Sequence, residues 1–149
     1  LISDKEKLTG VFKVIGELPL KIRFPVHPHT EKNIKKFKIK KPKNIKFEEP
    51  YSYFDTLRAI ERSKLVLTDS GGLQEEACIL KTPCVTLRDN TERPETLEIG
   101  NILAGEDGMV LKSAVEKILS RQISWHNPYG KDVSKQIIDI LYERNQNKV

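Results

Sequence analysis

The 149-residue sequence holds two cysteines, one methionine, one tryptophan and three histidines, and only 7% of it is aromatic. Cys78 and Cys84 are too few for a disulfide framework and form no CxxC pair, which argues against a stapled secreted scaffold and against a thiolate zinc ribbon. They read as two buried, reduced thiols of a cytoplasmic protein. No apolar run approaches the roughly 18 residues that a membrane-spanning helix needs. No GxGxxG is present, so no nicotinamide cofactor is implied. His27 and His29 flank Pro28 without further Cys, His or carboxylate ligands close by. They therefore fit helix capping and loop packing better than a metal site. Internal repeats are absent, and the one biased stretch is lysine-rich.

What is present describes a globular chain. Hydrophobic residues make up 38% and charged residues 32%, enough for residues 1–149 to form one domain with a sizeable core. The net charge is +5 and the pI about 9.1, a balance that raises the question of nucleic-acid binding. Much of the excess sits in one block, Lys32 to Lys46, reading KNIKKFKIKKPKNIK. Phe37 is its one aromatic residue and no nucleic-acid motif accompanies it, so it reads as a solvated helix and loop. The first residue is Leu1, already inside a helical pattern, and the chain is expected to be a piece of a longer protein.

Helical and strand patterns alternate along the chain. Ser3 or Asp4 can cap a helix to about Leu18 that buries Leu8, Val11, Ile15 and Leu18, and Pro19 ends it. Leu20 to Val26 reads as a strand with Ile22 and Phe24 on one side, and Pro25 places it near a sheet edge or at the strand's end. A short helix capped by Thr30 runs to Phe37, and a strand covers Ile45 to Phe47. A helix over Ser52 to Ser63 points Phe54, Leu57 and Ile60 at the core. After the Leu65 to Thr68 strand come a helix over Gly72 to Leu80, a strand at Cys84 to Leu87 and a helical turn from Pro94. Asn101 to Ala104 is one more strand, and Ser113 to Arg121 a short helix. NPYG, Asn127 to Gly130, is a turn. A final helix from Asp132 to Gln146 presents Val133, Ile137, Ile138 and Leu141 as its apolar face. The expected fold is α/β, a doubly wound parallel sheet with Rossmann-like topology, whose ligands bind beyond the C-terminal strand ends.

The stretch from Leu65 to Arg93, LVLTDSGGLQEEACILKTPCVTLRDNTER, carries the functional signal. Strand, glycine-containing turn and helix aim backbone N–H groups and the positive end of a helix dipole at one point, which suits a phosphate. Gly71 and Gly72 remove side chains there, and Ser70 adds a hydroxyl. Glu75 and Glu76 fall near the helix start, where the dipole favours carboxylates. Taken alone, SGG is also a common strand-to-helix turn with an N-cap.

TDSGGLQEEA, then KTP, a strand and RDNTERPE, closely resemble the signature of the non-hydrolysing UDP-N-acetylglucosamine 2-epimerases. The resemblance reaches HNPYG, His126 to Gly130, and back to PVHPHT, Pro25 to Thr30. It implies the C-terminal half of a two-domain GT-B arrangement, with Ser70, Gly71, Gly72 and Arg93 on the diphosphate of a UDP-sugar and Glu76 on the ribose hydroxyls. The proton-transferring carboxylates belong to the family's N-terminal domain, so no catalytic residue is assigned here and the chain alone is expected to be inactive. No cofactor or metal is implied. The implied partners are UDP-N-acetylglucosamine or UDP and the chain's own N-terminal domain, with room for a homodimer, no membrane and no nucleic acid. One departure stands out. The phenylalanine that packs on the uracil in the family falls at Thr56, with Tyr53 and Phe54 just before it. Hydrolysing relatives share the same signature, which leaves the fate of the sugar open. A non-catalytic nucleotide- or nucleic-acid-binding module could use the same turn and the basic block.

Overall fold

Asp4 opens the first helix. Its carboxylate accepts the N–H groups of Glu6 and Lys7 at 2.9 and 3.1 Å, two of the donors that a helix leaves free at its start. The computed structural model describes residues 3–105, 107–120 and 124–146, with side chains through 144. Helix α1 (Lys5–Glu17) buries Leu8, Val11, Phe12 and Ile15, the expected stripe with Phe12 added. Asn44 then secures the turn at Pro19. Its Nδ2 donates to the carbonyls of Ile15, Leu18 and Leu20 at 2.9, 3.1 and 3.2 Å.

The chain continues as β1 (Ile22–Pro25), α2 (Pro28–Phe37), β2 (Ile45–Glu48), α3 (Tyr53–Glu61), β3 (Val66–Thr68) and α4 (Gly71–Ile79). Next come β4 (Cys84–Thr86), α5 (Pro94–Leu97), β5 (Asn101–Leu103), α6 (Gly108–Leu119) and α7 (Val133–Gln146). Every strand pairing is parallel, as the alternation of helix and strand predicts. Among the described residues the strands form two sheets, β1-β2 and β3-β4-β5, rather than one continuous sheet. A single apolar cluster joins them, with α1 and α6 contributing Leu8, Phe12, Leu111 and Val115, and β4 contributing Val85. Central strand β4 is buried at every residue. Burying Val85 alone is worth about 1.5–3 kcal/mol. Phe12, Phe24 and Phe47 meet with ring centroids 5.7 to 5.9 Å apart, each such pair adding about 0.5–1.5 kcal/mol beyond its buried area.

Three local readings change, and a fourth gains a detail. Helix α2 starts at Pro28, not at Thr30: His27 Nδ1 accepts the His29 N–H at 3.2 Å, Pro28 fits the first turn, and Thr30 is buried inside the helix. Helix α6 starts at Gly108, ahead of Ser113, because Asp107 caps the N–H groups of Met109 and Val110 at 2.7 and 3.3 Å; Arg121, its expected end, lies outside the described residues. Phe54 is 69% exposed and lies edge-on to Tyr53 at 5.6 Å, since the small core beneath α3 is Ile60, Ala77 and Cys84 and only the helix's last turn reaches it. The apolar face of α7 is exposed along Val133, Ile137, Ile138 and Leu141. Periodicity predicted a face there, but it cannot name what covers one.

Trp125 is structural. Its indole N–H donates to the Cys78 carbonyl at 2.9 Å, and its ring lies over Gly100, where a Cβ would stand 2.5 Å from Cη2. Gly100→Ala should destabilise the protein by about 1–3 kcal/mol, the usual cost of overpacking, read as a lower urea midpoint with unchanged slope.

Glu48, at the end of β2, receives Lys46 Nζ at 2.7 Å, Arg23 Nε at 2.9 Å and the Tyr51 hydroxyl. These partners, Lys46 foremost, hold its carboxyl down at about 2, against 4.5 unperturbed. A lowered carboxyl contributes stability above its unfolded value and loses it as pH falls through the folded one. Thermal melting of Glu48→Gln should therefore lose part of the pH dependence that the unsubstituted protein shows between pH 4.5 and about 2.

Candidate nucleotide site at the ends of β3 and β4

The site begins where β3 stops. Thr68 is buried at the strand's last position, and its Oγ1 accepts the Ser70 N–H at 3.0 Å, turning the chain toward α4. Ser70 is the N-cap with extended backbone, φ −88° and ψ 125°. Its hydroxyl accepts the Leu73 N–H at 3.5 Å, a long bond, and its carbonyl accepts the Gln74 N–H at 3.2 Å. The N–H groups of Gly71 and Gly72 are first-turn donors without an intrahelical acceptor.

Neither glycine is required by the fold. Positive φ among the described glycines is confined to Gly105. A Cβ on Gly71 would come no closer than 3.7 Å to Glu92 Oε2, and one on Gly72 no closer than 3.9 Å to Ser70 Oγ. Glycine in a helix is disfavoured against alanine by up to about 1 kcal/mol. Two consecutive glycines with room for a methyl each thus keep bare backbone at the mouth of α4 at some cost to stability.

Carboxylates and guanidinium groups surround this mouth. Glu76, one turn beyond Gly72 on the same face, is half-buried, and its carboxylate has no hydrogen-bond partner among the described residues. Burial, with Glu75 beside it, raises its pKa. Both glutamates lie in the second turn of α4, past the first turn in which the helix dipole acts. Arg93 is brought to α4 by an ion pair of its Nε with Glu75, and it donates from Nη1 to the Glu92 carbonyl at 3.0 Å. Arg88 grips Glu92 with two bonds of 3.1 and 2.9 Å and lowers its pKa. Tyr129, in the NPYG turn, donates to Glu95 Oε1 at 2.9 Å. Burial pushes the Cys84 thiol up to about 12, which leaves it an inert core group. Among the described residues no three His, Cys, Asp or Glu side chains gather to hold a metal, and no helix is long and apolar enough to cross a membrane.

Ser70, Gly71, Gly72 and Glu76 therefore share one end of α4, and Arg93 reaches the same helix from the loop after β4. The roles of Glu75 as partner of Arg93 and of Glu92 as a carboxylate beside Gly71 were not legible in sequence, because both pairings form across loops. Gln74 was also missed. Its spacing to Ala77 and Cys78, three and four residues on, was the available sign of a buried face.

Residues 2–142 match the sequence profile of the family described as UDP-N-acetylglucosamine 2-epimerase. The chain belongs to the UDP-N-acetylglucosamine 2-epimerase family. A UDP-N-acetylglucosamine 2-epimerase of Methanocaldococcus jannaschii is 47% identical over 94% of this chain and 41% of its own length. One of Methanococcus maripaludis is 45% identical over 88% of this chain and 37% of its own length. The crystal structure of the M. jannaschii UDP-GlcNAc 2-epimerase in complex with UDP-GlcNAc and UDP superposes with a TM-score of 0.84 at 45% identity, covering 95% of this chain and 42% of that one. The chain thus spans about two fifths of the length of the epimerases it matches.

Because the turn after β3 is free of any steric demand for glycine, Gly72→Ala should leave folding unchanged or stabilise it by up to about 1 kcal/mol. Chemical denaturation measures this, and a clear loss of stability would show that the fold itself needs the bare backbone.

Proposed function

We propose that this chain is the UDP-binding half of an enzyme that interconverts UDP-GlcNAc and UDP-ManNAc. The observation that carries the reading is the pair of glycines at the mouth of α4, sterically unexplained by the fold, beside an unpartnered half-buried carboxylate. A diphosphate would accept hydrogen bonds from the Gly71 and Gly72 N–H groups and from the Ser70 hydroxyl. Arg93 would turn part of its charge from Glu75 to the diphosphate. Glu76, acceptor-only when ionised, would take both ribose hydroxyls.

In the reaction the C2 proton of the sugar is removed while the C1–O bond breaks, giving a glycal and UDP. UDP then adds back at C1 as C2 is reprotonated from the other face. This chain would stabilise the negative charge that develops on the leaving diphosphate. The proton-transferring groups would come from a preceding domain of the GT-B arrangement, and without it the chain would bind but not turn over. A hydrolysing outcome, with UDP and free ManNAc as products, uses the same UDP site; product analysis on the complete enzyme separates the two.

Calorimetric titration with UDP tests the reading. Glu76→Ala should weaken binding about ten- to hundred-fold, the loss expected for hydrogen bonds to a charged group. Gly72→Ala should also weaken it although its fold is intact. UDP affinity unchanged in both variants would overturn the assignment.

A further inference from the structure

Gln74 is fully buried at the fourth position of α4, a polar amide on a face otherwise filled by Ala77 and Cys78. A buried amide is costly unless its bonds are made; its Nε2 has no partner among the described residues, so the bonds of its oxygen carry the information. Its Oε1 accepts from Thr91 Oγ1 at 2.5 Å and from Asn101 Nδ2 at 3.3 Å. Asn101 is itself fixed from β4, its Oδ1 accepting from Thr86 Oγ1 at 2.7 Å.

Both arms of this network end on one residue. Thr91 Oγ1 accepts the Arg93 N–H at 3.0 Å. Asn101 Nδ2 donates to Thr96 Oγ1 at 3.0 Å, and the Thr96 hydroxyl donates to the Arg93 carbonyl at 2.7 Å. Arg93 has φ −125° and ψ 60°, outside helix and strand geometry, and as the residue before α5 its carbonyl accepts the first helical bond, from the Thr96 N–H at 3.1 Å. Two side-chain hydroxyls add to that bond, one on each peptide group, and both are anchored to buried amides.

We propose that Gln74 and Asn101 are positioning residues. Acting through Thr91 and Thr96, they clamp the backbone of Arg93 so that its guanidinium is held against α4 at Glu75, within one turn of the mouth where the diphosphate of a nucleoside diphosphate would lie. The inference rests on the reading of Arg93 as a diphosphate partner. It adds the device that sets the arginine's position, and it gives a reason for a buried polar network at a place where an apolar core would serve folding alone. Coupling between α4 and the loop after β4 then runs through the interior as well as through the half-exposed Arg93–Glu75 pair.

The test is a double-mutant cycle on Thr91 and Arg93, reading dissociation constants for UDP and for uridine. Thr91→Val, which removes the hydroxyl at nearly constant size, should weaken UDP about tenfold, the coupling typical of one hydrogen-bond network. Uridine binding should not change, Thr91→Ser should retain UDP affinity, and Thr91→Val should have no further effect when Arg93 is already alanine. Thr96→Val, on the other arm, gives an independent measure should Thr91→Val fold poorly. If Arg93→Ala weakens UDP while Thr91→Val and Thr96→Val do not, the positioning inference is wrong and the site reading stands. Equal losses for UDP and uridine, or a full loss on the alanine background, would make the network merely structural and overturn the inference. If Arg93→Ala leaves UDP affinity unchanged, or the unsubstituted protein binds no UDP, the diphosphate reading fails and the inference with it.

Discussion

The structure depends on the burial of β4 between two parallel neighbours. Its register sets Thr68 of β3 level with Thr86 of β4 and with Leu103 of β5. Strands that run parallel and end together must release their following loops at the same edge. The turn Asp69-Ser70 and the loop 87–93 therefore emerge side by side. The first feeds the N-terminus of α4, and the second brings Arg93 to that helix. Buried β4 side chains, Thr86 above all, also anchor the polar network behind the site.

Electrostatics at that edge are finely divided. Glu75, Glu76 and Glu92 place three carboxylates near the mouth of α4, against the guanidinium groups of Arg88 and Arg93. Arg88 is committed to Glu92 by two bonds, and Arg93 to Glu75 by an ion pair on the half-exposed surface. A half-exposed pair of this kind contributes little to stability, so exchange of Glu75 for a diphosphate is energetically accessible to Arg93. Glu76 has no such partner. On the proposed reading an anion would find bare N–H groups and a guanidinium with a weak attachment, next to a carboxylate free to accept hydroxyl donors.

Much of the fold could be read from residue patterns. The stripe of α1, the strands around Ile22, Ile45, Val66, Val85 and Ile102, and the glycine turn after β3 follow from period, proline and capping chemistry. Failures came where a neighbour decides the outcome. Phe54 has helical spacing to Ile60, yet the core beneath α3 is too small to receive it. The face of α7 is fully written in sequence and stays exposed among the described residues. Helix α2 begins at Pro28 because the ring nitrogen of His27 caps it, a role that a threonine three residues on imitates in sequence. For the candidate site, Ser70, Gly71, Gly72, Glu76 and Arg93 are proposed from the motif, and the fold gathers them at one end of α4. The salt links to Glu75 and Glu92 and the Gln74–Asn101 network could not be named from the motif, because they join residues up to 27 positions apart through folded geometry.

The most direct measurement is the amide NMR spectrum of the protein during titration with UDP. The account predicts saturable shifts centred on the N–H resonances of Gly71 and Gly72, the two first-turn donors kept bare by glycine. Shifts confined to the basic stretch Lys32 to Lys46, or no saturable shift at the mouth of α4, would contradict it.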